Sequence, residues 1–357
     1  MDNVRVVLNA RPADKIIPGE TFRKETGLAP CPKDLEDGQI LFEVLLISLE
    51  PAMRGWLSEA LTPRAHSEKR SYLPPVQIGE TMRSFSAARV LATRSKQAEI
   101  GDVVVAASGW ARYAIVREGL FEPASTLPEV AETHELLSTY GLTGMTAWVG
   151  MTVIGEPKPG ETVVVSAAAG ATGSMAGQMA KIKGARVIGI CGGEEKCNHV
   201  REVLGFDVAL DYKAPDFKDK FMEATGDFID VYFDNVGGEI LDMALGQAKK
   251  GARLVQCGLI SQYNREREQP SLKNYFNVIS MRVKIQGFIV TDHMDLWPQA
   301  RQEIAQWVGQ GKLTSAVSIV EGGLDVVDKT LASLYNGSNT GKLLVKVKDV
   351  SDPPAEL

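Results

Sequence analysis

The sequence has 357 residues, 44% of them hydrophobic and 24% charged, which excludes a disordered or fibrous chain and leaves room for two domains with separate cores. A formal charge of −6 supplies no electrostatic footprint for nucleic acid or an anionic membrane. Cys31, Cys191, Cys197 and Cys257 form no CxxC pair, so the expectation is no disulfide framework, no structural zinc and a reducing, cytoplasmic setting.

The first fifteen residues carry no apolar signal core, and the terminal Ala-Glu-Leu is not a peroxisomal address. Residues 4–9 and 40–49 read as strands, separated by a segment rich in Pro and Gly that runs to Gly38. Residues 52–82 read as irregular, and 90–93, 102–106 and 109–116 as short strands. Short strands with no regular helix between them predict a small β-rich, barrel-like domain up to about residue 125. The uncharged stretch 136–155 contains Gly141, Gly144, Gly150 and Gly155 among its threonines. It is too polar for a membrane span and reads as a buried helix.

The texture then changes. Apolar strands at 162–167, 185–191, 207–210, 229–234, 252–257 and 283–289 alternate with helical patterns at 174–183, 194–204, 216–225, 239–249 and 294–309. Gly184, Gly205, Gly226, Gly251 and Gly311 stand at the expected helix ends. This alternation predicts an α/β, Rossmann-type, doubly wound parallel sheet with ligands at the carboxyl ends of its strands. From about 315 the pattern returns to β, with 343–347 a strand that can pair back into the first domain. The expected organisation is a substrate domain of residues 1–125 and 315–357 and a dinucleotide-binding domain of residues 126–314.

Within the second domain, 162–184 reads TVVVSAAAGATGSMAGQMAKIKG. A β-branched strand breaks into Gly170-Ala171-Thr172-Gly173-Ser174 and then a helix. That arrangement presents free N–H groups and a positive helix terminus to a phosphate. Its glycines are spaced GxxGxxxG rather than GxGxxG. At the end of the next strand, where an acidic residue would bind the adenosine ribose 2′-OH, stand Ile190-Cys191-Gly192-Gly193. Lys196 follows and can meet a 2′-phosphate as a point charge, which favours NADP over NAD. Glu194 and Glu195 can instead reach a ribose. They are equally readable as acids complementing a helix dipole, with Lys196 a surface lysine.

The usual reaction centres are absent from the sequence. None of His66, His134, His199 and His293 sits in a Gly-His-Glu segment, and there is neither a Gly-x-Ser-x-Gly nor a Tyr-x-x-x-Lys pair, so no metal is expected. Hydride transfer needs no metal if the substrate is a conjugated alkene. It needs alignment and a donor for the enolate that forms.

Several segments carry a resemblance. They include residues 50–55 (EPAMRG), 141–147 (GLTGMTA), 168–174 (AAGATGS), 211–213 (DYK), 233–238 (FDNVGG), 257–264 (CGLISQYN) and 339–342 (NTGK). In this order the chain resembles the zinc-independent medium-chain dehydrogenases/reductases. Within them it is most similar to the leukotriene B4 12-hydroxydehydrogenase, prostaglandin reductase and alkenal double-bond reductase family. The resemblance implies a GroES-like barrel for the first domain, NADPH as cofactor and a homodimer. It places the pyrophosphate on residues 171–174 and the 2′-phosphate on Lys196 and Tyr212. The nicotinamide half falls to Asn235, to Cys257, Gly258, Leu259, Ile260, Ser261 and Tyr263, to Phe288, Ile289 and Val290, and to Asn339. Tyr263 resembles the family's tyrosine near the substrate carbonyl, as an enolate stabiliser or proton relay; a purely structural tyrosine, with water as the acid, is the alternative.

Departures from the family pattern cluster in the first domain, where Ala52 replaces a tyrosine and Ser84-Phe85-Ser86 stands where glycines are usual; in the second, Trp148 stands where a tyrosine is common. Met53, Trp56, Phe85 and Trp110 are the candidates for an apolar substrate pocket, each also readable as plain core. The expectation is an NADPH-dependent reductase of enals and enones. An NADP-dependent alcohol dehydrogenase or quinone reductase, and a non-enzymatic NADPH-binding protein, are the alternatives.

Overall fold

The computed structural model describes residues 1–58, 73–264 and 271–355. By its contacts the chain divides into two compact units. The first is Met1–Leu137 with Ser318–Ser338 and Leu343–Leu357; the second is Ser138–Val317 with Asn339–Lys342.

The first unit is antiparallel. β1 (Asp2–Leu8) pairs with β2 (Phe22–Leu28) and forms isolated bridges to Ala111 and Thr81. The longest strand, β3 (Gln39–Leu49), is buried along almost its whole length, as its near-continuous apolar sequence requires. It pairs with β4 (Ser86–Thr93) and β6 (Tyr113–Arg117). β5 (Val103–Ala106) joins β4 to β7 (Phe121–Glu122). Register shifts between β3 and β4 at Leu41/Phe42 and Val44/Leu46 are the mark of bulges, which bend a strand and increase its twist. The turn α1 (Met53–Trp56) packs into the same core.

The second unit carries a six-stranded, all-parallel sheet. Its strands are β8 (Thr162–Ser166), β9 (Arg186–Cys191), β10 (Val208–Asp211), β11 (Ile229–Asp234), β12 (Ala248–Gln256) and β13 (Lys284–Gly287). They lie in the order β10-β9-β8-β11-β12-β13. The winding of the chain across the sheet reverses between β8 and β11, the switch point at whose carboxyl edge such sheets bind ligands. α2 (Leu142–Val149), a π-turn over Gly150–Gly155, α3 (Ala171–Ile182), α4 (Glu194–Asn198), α5 (Phe217–Ala224), α6 (Gly238–Gly246), α7 (Asn277–Ser280) and α8 (Trp297–Gly309) complete the unit. No helix among the described residues is long and apolar enough to cross a membrane. The uncharged stretch is the buried α2 with its π-turn, and a Cβ on Gly150 would overlap the Phe233 ring.

The last strands, β14 (Val317–Val320) and β15 (Lys342–Lys346), rejoin the antiparallel sheet through β3. Between them lies α9 (Val327–Leu334), where the sequence pattern suggests only β structure. Of the expected glycine caps, Gly184, Gly205 and Gly311 are left-handed just past their helices. Gly251 instead bends β12, because α6 ends at Gly246, and Gly226 is not left-handed.

Glu43, at the centre of β3, is 1% exposed. Its carboxylate meets Arg89 Nη1 at 3.1 Å and Lys348 Nζ at 2.7 Å and accepts the Ala355 N–H. Arg89 in turn donates to the carbonyls of Val350 and Asp352, and Lys348 to that of Pro353. The C-terminal segment is thereby fastened across the middle of the sheet by one buried acid. Breaking such a cluster strands its cations. Glu43→Gln is expected to cost about 3 kcal/mol in urea unfolding, and an unchanged midpoint would contradict the role.

Candidate cofactor site at the carboxyl edge of the parallel sheet

Val163, Val164 and Val165 of β8 are completely buried, and the chain leaves them through a strained corner: Ala167 has φ +50°. The peptide there turns its carbonyl inward to accept the Gly170 N–H at 2.9 Å. A side chain on Gly173 would overlap that same carbonyl, so only glycine lets α3 start this close to β8. Gly177 has a different task, since a Cβ there would penetrate the Phe206 ring. Gly170 is the N-cap of α3. The first-turn N–H groups of Ala171, Thr172 and Gly173 have no acceptor within the helix, and Ala171 and Thr172 are half-exposed. This cradle of small residues and open N–H groups fits a pyrophosphate. Ser174 is different: it is buried, and its hydroxyl donates to the Ala171 carbonyl.

Asp234 ends β11 and is wholly buried. Its Oδ1 accepts from the Tyr232 hydroxyl at 2.9 Å, Ser166 Oγ at 3.1 Å, and the N–H groups of Val236 and Gly237 at 2.9 and 2.8 Å. Burial pushes this carboxyl above the ordinary range while those donors pull it back. Its backbone carbonyl accepts from Cys257 and Gly258. Asn235 donates its N–H to Ser166 Oγ and its side-chain amide to the Ser166 carbonyl at 2.7 Å. The ends of β8, β11 and β12 are thus joined through polar groups, and the Asn235 amide serves that joint.

Beyond β12, Ile260–Gln262 form a 3-10 turn. Ile260 and Ser261 donate their N–H groups to the carbonyls of Asn235 and Val236. Leu259 lies over Gly237, whose φ is +69°. The half-buried Tyr263 turns its hydroxyl back to accept the Leu259 N–H at 3.3 Å. Burial raises the Cys257 thiol to about 12, with the Asp234 charge adding to the rise, so it stays protonated at neutral pH. Phe288, Ile289 and Val290 follow β13 and are each half-buried.

At the end of β9, Lys196 donates to the Asn339 carbonyl at 2.6 Å. The segment carrying Asn339 is fastened to the phosphate turn, because Gly341 donates to Ala169 at 2.8 Å and bridges Gly170. Tyr212 is 49% exposed at the end of β10 and faces Gly192. Phosphate turn, Lys196, Tyr212 and Asn339 therefore belong to one unit and one edge.

The pocket candidates behave otherwise. Met53 and Trp110 are fully buried in the core of the first unit, Trp110 against Phe22 at 4.8 Å between ring centroids. Trp56 is in that core too, under the Arg83 guanidinium. These three are packed in that core, whereas Phe85 is half-buried. Trp148 is core in the second unit, its indole N–H on Glu303 at 2.9 Å. Among the described residues, no three His, Cys, Asp or Glu side chains are grouped so as to hold a metal ion.

Residues 5–123 match the family model described as the N-terminal domain of oxidoreductase, and residues 171–306 the model described as zinc-binding dehydrogenase. The chain is 36% identical over 350 residues to the NADPH-dependent curcumin reductase of Escherichia coli, with 97% of each chain covered. It is 34% identical over 313 residues to the NADP(+)-dependent 2-alkenal reductase of Nicotiana tabacum, covering 86% of this chain and 87% of the relative. The crystal structure of CurA from Vibrio vulnificus in complex with NADPH superposes with a TM-score of 0.88 at 36% identity, covering 97% of this chain and 99% of the other. The chain belongs to the medium-chain dehydrogenase/reductase superfamily, in its zinc-independent reductase family.

Proposed function

We propose that the protein uses NADPH to reduce the activated carbon–carbon double bond of α,β-unsaturated aldehydes and ketones. The observation that carries this reading is full-length likeness to reductases named for NADPH, curcumin and 2-alkenals. The second unit has the groups such a reaction needs. The first turn of α3 would hold the pyrophosphate, and Lys196 with Tyr212 the 2′-phosphate. When bound, the cofactor supplies the hydride for the substrate β-carbon. The residues supply the rest. The Tyr263 hydroxyl accepts the Leu259 N–H, which holds the ring on the loop after β12. Aimed at the substrate carbonyl oxygen, that hydroxyl stabilises the enolate. Tyr263 or water then returns a proton to the α-carbon.

A homodimer, implied by the resemblance, is supported by the second unit's outer edge. β13 ends the sheet, and Tyr275, Phe276 and Ile279 nearby in sequence are 56%, 70% and 68% exposed.

Incubating an enone with NADPH is expected to yield the saturated ketone; an allylic alcohol would overturn the reading. Lys196→Ala is expected to weaken NADPH at least about tenfold in fluorescence titration while leaving NADH nearly unchanged, and equal losses would contradict the 2′-phosphate assignment. Tyr263→Phe is expected to lower kcat about 100-fold at unaltered NADPH affinity. A loss confined to KM would make Tyr263 a binding residue. Replacing Phe276 and Ile279 together by lysine is expected to halve the mass measured by light scattering.

A further inference from the structure

We propose that Lys213 is a second cation of the 2′-phosphate site and acts with Lys196 to select NADPH over NADH. The inference rests on the cofactor reading above and adds to it a residue that the reading does not use.

β9 and β10 run parallel, with Asp211 in register with Cys191. The residues just beyond them are therefore neighbours. The backbone closes the two turns on each other: Tyr212 donates to the Cys191 carbonyl at 3.0 Å. Asp211 Oδ1 accepts the N–H of Gly193 at 2.8 Å and that of Lys213 at 2.9 Å. Lys213 thus leaves a pinned backbone. Its side chain crosses Gly192, where an added Cβ would stand 3.1 Å from Lys213 Cε and 2.8 Å from Tyr212 Cε1. Its ammonium lies 5.9 Å from the centre of the Tyr212 ring. Lysine and tyrosine together close over a glycine that has no room for a side chain.

The charges are arranged for an anion. Among the described residues, no carboxylate forms an ion pair with Lys213, although Asp211 is two residues away and holds backbone N–H groups. Lys196 arrives from α4 and is fixed on a carbonyl oxygen. Burial holds its ammonium below the ordinary lysine range, and the charge of Lys213 lowers it further, against the opposite pull of Glu195. Two cations brought together from different elements repel each other in the ligand-free protein. A phosphate dianion removes that repulsion and gains two charge-assisted contacts, whereas a ribose hydroxyl gains neither. The pair therefore discriminates between the two cofactors as well as binding one.

The test is fluorescence and calorimetric titration of the full-length protein with NADPH, NADH, 2′,5′-ADP and 5′-AMP, for wild type, Lys213→Ala, Lys213→Arg and Lys196→Ala. Lys213 is exposed, so its replacement should leave the melting temperature unchanged. Lys213→Ala is expected to weaken NADPH and 2′,5′-ADP about tenfold and to change NADH and 5′-AMP less than about twofold, with Lys213→Arg restoring most of the loss. If Lys196→Ala discriminates between the cofactors and Lys213→Ala does not, the inference fails while the cofactor reading stands. If Lys196→Ala weakens NADPH and NADH alike, the cofactor reading fails. An equal loss of all four ligands in Lys213→Ala would make it a support of the turn and overturn the inference.

Discussion

A buried carboxylate, Asp234, organises the carboxyl edge of the parallel sheet. Burying an acid is costly unless its oxygens are well supplied with donors. Here all the donors converge on one oxygen, Oδ1, while Oδ2 is buried without a hydrogen-bond partner, and they are groups whose positions matter: the Ser166 hydroxyl at the end of β8 and the N–H groups of Val236 and Gly237 in the turn after β11. Supplying that one oxygen therefore places the turn. The same residue's carbonyl receives the N–H groups of Cys257 and Gly258, so the end of β12 is tied to it as well. Once that loop is tied down, Leu259 covers Gly237 and its N–H meets the Tyr263 hydroxyl. The orientation of the proposed proton donor thus descends, through successive hydrogen bonds, from one acid that never faces substrate.

The two ends of the proposed cofactor are held by different physics. The α3 turn offers neutral backbone donors and a helix dipole, and it achieves close approach by excluding side chains at Gly173. Such a cradle suits any pyrophosphate and cannot distinguish NADH from NADPH. In the proposed site, selectivity falls to charged side chains beyond β9 and β10, where a point charge would meet a phosphate or a hydroxyl. Between these regions lie Cys191 and Cys197, with sulfurs 3.1 Å apart. Burial raises both thiols, and each is almost completely enclosed, so they act as packing groups behind Lys196.

The parallel sheet is legible in the sequence because strands buried on both faces read as runs of Val, Ile and Leu, and its connecting helices punctuate them. Strand β2 is not. Its sequence, FRKETGL, is mostly charged or polar, and only Phe22 is buried, so pairing with β1 rather than apolar patterning defines it. Helix α9 is hidden by the glycines before it and by its short length. Among candidate site residues, backbone-based roles are the more readable, since glycines between a strand and a helix answer directly to a tight turn and a close approach. Pocket aromatics are the least readable: Trp110 and Phe85 look alike in sequence, yet one is buried in a core against Phe22 and the other is half-buried. The charge of Lys213 acquires meaning only once β9 and β10 are paired in register. A lysine following the end of the third parallel strand, opposite the Gly-Gly after the second, is the sequence signal that marks it.

Asn339 shows why the selectivity region is tied to a distant part of the sequence. Its carbonyl holds the Lys196 ammonium, and its own amide donates to the Gly341 carbonyl at 2.7 Å. Gly341 has φ +68°, and a side chain there would overlap the Ala316 carbonyl, so only glycine can make this turn. Lys342 donates to that same carbonyl, while Gly341 donates to Ala169 at the phosphate turn. A lysine alone would search many rotamers before meeting a phosphate, and ordering it on binding would reduce affinity. Held on a carbonyl anchored to the pyrophosphate cradle, it is already ordered at the right edge. A carbonyl partner leaves the ammonium its charge, which a carboxylate partner would have neutralised. In the proposed site, the segment around Asn339 would therefore contribute to cofactor choice without supplying a charge of its own at that point.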